Sequence, residues 1–295
     1  MDDLQKDAQS LLAKTSLSDG IARRDFIKVA LGTGFAAAAM PVVAQNVIST
    51  DTKGLIAGTI EIEVAGQRVP VYRAQPEGKA NPPVVLVVSE IFGVHEHIAD
   101  VARRFAKLGY MALAPDLFVR QGDPQKAASI AELQRDIIAR TPDEQVMADL
   151  DATVAWAAAQ GANTDKLGIT GFCWGGRITW LYSAHNPKVK AGVAWYGRLV
   201  GTSSAMTPRQ ASDIAGSLKT PVLGLYGLKD AGIPQDSIAI MQKELAKGSS
   251  GSQFVIYPDS GHAFHADYRP SYVAADARDG WQRLQNWFKQ YGVAP

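Results

Sequence analysis

The amino-acid sequence predicts an α/β domain built on a mainly parallel sheet that helices cover on both faces. Short β-branched runs alternate with helix-length periodic segments from residue 59 onward, which is the pattern of a parallel sheet with helical connections. One run, 83–88, is apolar at every position, as expected for a central strand buried on both faces. In such a domain, residues that carry chemistry are expected at the carboxyl ends of the strands.

The individual elements follow from hydrophobic periodicity and turn residues. An antiparallel hairpin at a sheet edge comes first, since 59–64 alternates apolar and polar residues and a turn at 65–67 leads into 69–72. Further strands are predicted at 83–88, 111–114, 167–170, 191–195, 222–226 and 254–257. Helical spacing predicts helices at 98–108, 125–140, 143–160, 175–184, 238–246 and 272–291.

Composition excludes several classes of protein. The 295 residues are 46% hydrophobic and carry 30 Lys and Arg against 29 Asp and Glu, so wholesale disorder is not expected. The net charge of +1 gives no electrostatic case for nucleic-acid binding. A single cysteine excludes an intramolecular disulfide and a cysteine-based zinc cage.

The first 44 residues differ from the rest and resemble an export signal. The pair Arg23-Arg24 precedes an uncharged stretch, 29–44, which is too short for a stable membrane span. The pair resembles a twin-arginine signal, which predicts the twin-arginine export machinery as a partner and a periplasmic or secreted location. The alternatives are an N-terminal amphipathic helix and a cytoplasmic location. Residues 45–295 then form a single domain.

The only cysteine lies in a motif that predicts a nucleophile. Gly171-Phe172-Cys173-Trp174-Gly175-Gly176 falls between a predicted strand and a predicted helix. A nucleophile on such a turn needs flanking glycines, because the strand and helix backbones approach closely there. The N-terminus of the helix also favours an anionic sulfur. The alternative is a buried structural cysteine.

A nucleophilic thiol requires a base and an orienting carboxylate. His262 follows the predicted strand at 254–257, and Asp230 follows the one at 222–226. The order nucleophile, acid, histidine is typical of hydrolases with this kind of turn, so Cys173, Asp230 and His262 are the predicted catalytic residues.

The remaining histidines have other predicted roles. His265 is a second candidate base, and His185 is predicted to cap the end of a helix. His95-Glu96-His97 is predicted to begin a helix rather than to bind a metal, because no third ligand follows at a suitable spacing.

Glu90 is predicted to control the thiol. It follows the buried run at 83–88, where a carboxylate is a poor choice for stability alone, and its charge would act on thiolate formation at Cys173. The backbone N–H groups of Ile91 and Trp174 are predicted to form an oxyanion hole. The alternative for Glu90 is a surface glutamate in a loop.

The chain resembles the dienelactone hydrolase (carboxymethylenebutenolidase) family of the α/β-hydrolases. The motifs that carry the resemblance extend over most of residues 60–290: 89–93, 109–118, 171–176, 195–197, 227–230 and 261–264. The resemblance implies an α/β-hydrolase fold, the triad Cys173, His262 and Asp230 with Glu90 beside the thiol, and no cofactor.

The resemblance also implies a small-molecule substrate, an ester or lactone. Founding members hold a substrate carboxylate with an arginine four residues after the histidine, where this chain has Ala266 and the nearest arginine is Arg269. A second family arginine has Arg135 as its candidate. The residues predicted to contact substrate are Tyr196, Phe264, Arg177 and Arg198. The alternatives are a broad short-chain esterase or thioesterase and a non-catalytic binding protein.

Overall fold

A computed structural model describes residues 47–295 and contains one eight-stranded sheet in that part of the chain. The strands are β1 (Leu55–Val64), β2 (Gln67–Pro76), β3 (Pro83–Val88), β4 (Met111–Pro115), β5 (Asn163–Phe172), β6 (Val189–Trp195), β7 (Val222–Gly227) and β8 (Gln253–Tyr257). The predicted signal segment, 1–44, lies outside the described residues and stays a prediction.

The sheet is mainly parallel, as predicted. Its strand order is β1-β2-β4-β3-β5-β6-β7-β8, and only the pairs β1–β2 and β2–β4 are antiparallel. The β1–β2 hairpin places Glu61 opposite Pro70 at one edge of the sheet. All six residues of β3 are buried, which agrees with the apolar run that predicted a central strand.

Residues 47–295 contain seven α-helices, of which the last follows the final strand: α1 (Glu96–Lys107), α2 (Ile130–Asp136), α3 (Asp143–Ala159), α4 (Trp174–His185), α5 (Ala211–Ala215), α6 (Gln235–Leu245) and α7 (Ala274–Gln290). Helix α1 packs on β2 and β4, α4 on β5 and β6, and α7 on β6 and β7. None of the helices in this range is long and apolar enough to cross a membrane.

The predicted helix at 125–140 is wrong. A 3₁₀ turn, Pro124–Lys126, is followed by an extended connection, and the hydroxyl of Ser129 then accepts a hydrogen bond from the N–H of Glu132 to start α2. Helix α2 ends at Asp136, and Ile138–Arg140 form another 3₁₀ turn. The segment folds over a small apolar cluster instead of extending as one helix, and this packing outweighs its helical periodicity. The five-residue helix α5 was not predicted, because it is too short to show a period.

Four strands end at the same edge of the sheet, and a predicted functional residue follows each of them. Glu90 follows β3, Cys173 follows β5, Asp230 follows β7 and His262 follows β8. Parallel strands align their carboxyl ends, so residues far apart in sequence meet at this edge.

Candidate active site

Cys173 lies on a strained turn between β5 and α4. Its backbone has φ 54° and ψ −115°, a combination that a non-glycine residue rarely adopts. The Cys173 N–H donates to the carbonyl oxygen of Trp195 at 3.0 Å, which ties the turn to β6. Strain of this kind persists where the surrounding structure holds it, and it is typical of functional sites.

The glycines of the turn are required by close backbone contacts. A Cβ at Gly175 would lie 2.3 Å from the carbonyl oxygen of Val88, and a Cβ at Gly176 would lie 2.5 Å from that of Trp195. Both contacts are with backbone atoms of β3 and β6, which cannot move without disturbing the sheet. The glycines therefore allow α4 to start directly against the strand ends.

His262 and Asp230 form a buried pair. Nδ1 of His262 lies 2.6 Å from Oδ2 of Asp230, and the other carboxylate oxygen accepts from the N–H of Gly232 at 2.9 Å. The carboxylate can only accept, so Nδ1 carries the proton and Nε2 is left to accept one. The pair is held in place because the N–H of Lys229 donates to the carbonyl oxygen of Ser260, which joins the two loops.

The charges around His262 favour its protonated form. Burial alone would lower the pKa of His262, but the charges of Asp230 and Cys173 outweigh burial and hold it well above its usual range. Nε2 is buried and has no hydrogen bond of ordinary geometry to any group of residues 47–295. The thiol is nonetheless close enough to interact with the ring, so Nε2 is the atom placed to take the thiol proton.

Two backbone N–H groups at the cavity over Cys173 could bind an anion. In the part of the chain that the structure describes, the N–H groups of Ile91 and Trp174 donate to no protein acceptor, and both residues line the cavity that contains Cys173. Trp174 is also the first residue of α4, where the helix dipole favours negative charge. These are the two amides that the sequence indicated for an oxyanion hole.

Glu90 is buried beside the site and is not a surface glutamate. Its Oε2 accepts a hydrogen bond from the hydroxyl of Tyr268 at 3.1 Å and lies 3.0 Å from Nε2 of His95. Burial would raise the pKa of the carboxyl, but the hydrogen bond and charge of His95, followed by the charges of His97 and Arg269, lower it to about 2. Glu90 is therefore anionic at neutral pH.

The cavity over Cys173 has a volume of about 480 Å³. Tyr196, Arg177 and Arg198, three of the residues predicted to contact substrate, line it, and the loop 202–207 forms part of the wall. Phe264 is fully buried behind Tyr196, with ring centroids 5.3 Å apart, and does not line the cavity. A cavity of this size suits a small organic molecule.

The arginines occupy different environments. Arg177 forms two hydrogen bonds of 2.7 Å to the carboxylate of Asp143, so its charge is already paired in the cavity wall. Arg135 is exposed and pairs with Asp136, away from the cavity. Arg269 lies over the ring of Phe92, with Cζ 4.6 Å from the ring centroid.

Arg269 belongs electrostatically to the site. Burial would lower its pKa, but Tyr268 and the charges of Glu90 and Cys173 raise it. In the sequence, Arg269 stands out only as the nearest arginine after Ala266. The position of Arg269, seven residues after His262 in the same loop, is the sequence feature that could have indicated its place near the site.

His265 is buried among aromatic rings and does not line the cavity over Cys173. Its ring stacks on Phe172 with centroids 5.0 Å apart and lies 4.5 Å from the ring of Trp195. Burial, together with the charges of His97 and Arg104, lowers its pKa well below the usual range, so it stays neutral. His185 is an exposed helix-end residue that pairs with Asp151.

The stretch His95-Glu96-His97 begins a helix, as predicted. Helix α1 starts at Glu96, and His95 is the residue before it. Nδ1 of His97 bonds to Asp267 at 2.9 Å. Within residues 47–295, no group of three or more histidine, cysteine or acidic side chains is arranged to hold a metal ion.

Comparisons with known proteins agree with this architecture. A sequence profile of the dienelactone hydrolase family matches residues 69–292. A protein of Methylorubrum extorquens strain AM1, named "Putative carboxymethylenebutenolidase", is 57% identical over 289 residues, which are 98% of either chain. A protein of Escherichia coli K12 with the same name is 52% identical over 261 residues, covering 88% of this chain and 96% of the relative.

A solved structure shows the same similarity in three dimensions. The "Putative Dienelactone Hydrolase" from Klebsiella pneumoniae is 52% identical, with a TM-score of 0.79, and the match covers 80% of this chain and 99% of that chain. The mainly parallel sheet and the strand-to-helix turn define a protein of the α/β-hydrolase superfamily. Within it, the chain belongs to the dienelactone hydrolase family and is a carboxylic ester hydrolase.

Proposed function

We propose that the protein hydrolyses a small ester or lactone by covalent catalysis at Cys173. The observation that carries the proposal is the position of Cys173 on the strained turn, beside a histidine that a buried aspartate holds by Nδ1. The thiol is also the only cysteine of the chain, and it lines the cavity.

The proposed reaction has two halves. His262 takes the proton of Cys173 on Nε2, the sulfur attacks the carbonyl carbon, and the carbon–oxygen bond to the leaving group breaks as that oxygen receives the proton from His262. The N–H groups of Ile91 and Trp174 stabilise the oxyanion of the tetrahedral intermediate. A water molecule, deprotonated by His262, then attacks the thioester, which releases the acid and returns the proton to sulfur.

The cavity supports a small substrate. Its volume of about 480 Å³ limits the size of the acyl and leaving groups. Arg198 and the guanidinium of Arg177, which is paired with Asp143, are part of the cavity wall, and the buried guanidinium of Arg269 interacts electrostatically with Glu90 and Cys173. A small ester or lactone suits a cavity of this size and lining.

An acyl-enzyme experiment tests the proposal. The purified protein is mixed with p-nitrophenyl acetate and quenched early, and intact mass spectrometry should show one acetyl group on Cys173. Cys173→Ala should show none, and Cys173→Ser should keep only residual activity, because the same pair must deprotonate a much weaker acid. A wild-type protein that forms no adduct, together with a Cys173→Ala variant that keeps the turnover of an ester and lactone panel, would contradict covalent catalysis at Cys173.

We also propose export through the twin-arginine machinery. The support is the pair Arg23-Arg24 ahead of the uncharged stretch at 29–44. Replacing both arginines with lysine should keep the precursor in the cytoplasm, as measured by cell fractionation. Unchanged recovery of the double variant from the periplasm would contradict the proposal.

A further inference from the structure

The carboxylate of Glu90 is held by one oxygen only. Both donors, the hydroxyl of Tyr268 and the imidazole of His95, bind Oε2. Oε1 is buried and has no hydrogen-bond partner within residues 47–295. A buried oxygen of a charged group without a partner costs free energy, so its retention indicates a role outside stability.

The two donors border a second cavity, separate from the one over Cys173. It has a volume of about 360 Å³, and Phe92, His95, His97 and Tyr268 form part of its wall. The side chain of His95 is 17% exposed, whereas that of Glu90 is 2% exposed. Glu90 itself does not line this cavity, whereas both residues that bind its Oε2 do.

Glu90 follows a strand end that packs against the turn of Cys173. The charges of Glu90 and Cys173 both act on Tyr196 and on Arg269, so the carboxylate and the sulfur share an electrostatic environment. The chain just before Glu90 abuts the turn, because a Cβ at Gly175 would lie 2.6 Å from the carbonyl oxygen of Ser89. A carboxylate in this position opposes formation of the thiolate.

The titratable and charged groups that face Glu90 come from several elements. They are His95 and His97 at the start of α1, Tyr196 after β6, and His265, Tyr268 and Arg269 in the loop after β8. Of these, only His95 and Tyr268 hydrogen bond to the carboxylate within the described part of the chain.

We propose that His95 and Tyr268 are positioning residues. From the wall of the second cavity they hold Glu90 by Oε2 and leave Oε1 to act on Cys173. This role deepens the proposed function and rests on it, since it requires Cys173 to be the reactive group. Without its donors, the buried carboxyl is more readily protonated near neutral pH. The thiolate is then opposed less, and Cys173 reacts faster with an electrophile.

The test is the rate of iodoacetamide alkylation of Cys173 in the full-length protein, from about pH 5 to about pH 8. Glu90→Gln removes the charge and should raise the rate near pH 7 by up to about tenfold, the effect of one pKa unit. His95→Phe and Tyr268→Phe should shift the curve in the same direction by a smaller factor. His95→Gln keeps a donor and should return the rate toward wild type.

A double variant separates positioning from a merely structural effect. In the Glu90→Gln background, His95→Phe and Tyr268→Phe should add nothing, because the charge through which they act is gone. His185→Phe, which removes an exposed histidine paired with Asp151, is the matched control and should leave the curve unchanged.

Three results would overturn the proposal. The first is an alkylation curve for Glu90→Gln that matches wild type, and the second is a wild-type curve for both His95→Phe and Tyr268→Phe. The third is that these two substitutions shift the curve as much in the Glu90→Gln background as they do alone. If His95→Phe does not fold, Tyr268→Phe decides alone, since it deletes one hydroxyl and keeps the ring. Failure of the proposed function would be seen separately, as the absence of an acyl group on Cys173 after reaction with p-nitrophenyl acetate.

Discussion

Replacing Asp230 with asparagine removes one charge from the candidate site and keeps the shape of the side chain. In the native pair, the carboxylate accepts from Nδ1 of His262 at 2.6 Å, and both side chains are buried. An asparagine can turn its NH₂ group toward Nδ1, which then has to be the acceptor. The proton would move to Nε2, and the imidazole could no longer take a proton from Cys173.

The size of the effect follows from the distance. Two unit charges 2.6 Å apart attract by roughly 6 kcal/mol at an effective dielectric constant of about 20, which is an upper limit for the support that Asp230 gives to a protonated His262. The same substitution in serine triads lowers turnover about 10⁴-fold, or about 5.5 kcal/mol. We therefore expect kcat/KM of Asp230→Asn to fall by about 10³-fold to 10⁴-fold.

The assay is hydrolysis of p-nitrophenyl acetate, with circular dichroism to check that the variant is folded. Asp259→Asn is the matched control. Asp259 lies in the adjoining loop but is exposed and pairs with Lys229, so the activity of this variant should stay within about twofold of wild type. A folded Asp230→Asn enzyme that keeps more than about a tenth of the wild-type kcat/KM would refute the role assigned to the pair.

Three further predictions concern stability. Gly176→Ala should destabilise the fold by about 1–3 kcal/mol or more, because the added Cβ would lie 2.5 Å from a backbone oxygen. Gly216→Ala is the control and should not destabilise the fold, because no atom would lie nearer than 3.5 Å to its Cβ. Thermal unfolding compares the two variants. Asp143→Asn leaves the buried guanidinium of Arg177 without its charged partner, although the hydrogen bonds to Gln210 and to the carbonyl oxygen of Arg209 remain. It should cost about 3–5 kcal/mol in urea unfolding, and a loss below about 1 kcal/mol would contradict this. The pKa of Asp267 would be raised by burial, but hydrogen bonds and charges around it lower it to about 2 in the folded protein, from 3.8. The ionised Asp267 therefore stabilises the fold above about pH 4, and this contribution is lost as the pH falls toward 2. The free energy of unfolding of Asp267→Asn should fall less than that of wild type over this range. An equally steep fall for the two proteins would contradict the prediction.

Much of the fold and the candidate site could be predicted from short stretches of sequence. The apolar run at 83–88 predicts a central strand, and the structure places it in the middle of the sheet. The position of Cys173 between a strand and a helix is likewise local, because the flanking glycines and the change of periodicity lie within about ten residues. Asp230 and His262 were predicted because residues that follow parallel strands meet at one sheet edge.

The tertiary structure decided which side chains bind each other across the fold. Glu90 and Tyr268 are 178 positions apart, and Arg177 and Asp143 are 34 apart, so no local pattern links them. The break in the predicted helix at 125–140 has the same origin, because packing over an apolar cluster outweighs helical propensity in that segment. Periodicity and turn residues act over a few neighbours and determine the elements of this protein. The partners of its buried charges depend on which loops the folded sheet brings together, and burial makes those pairings obligatory.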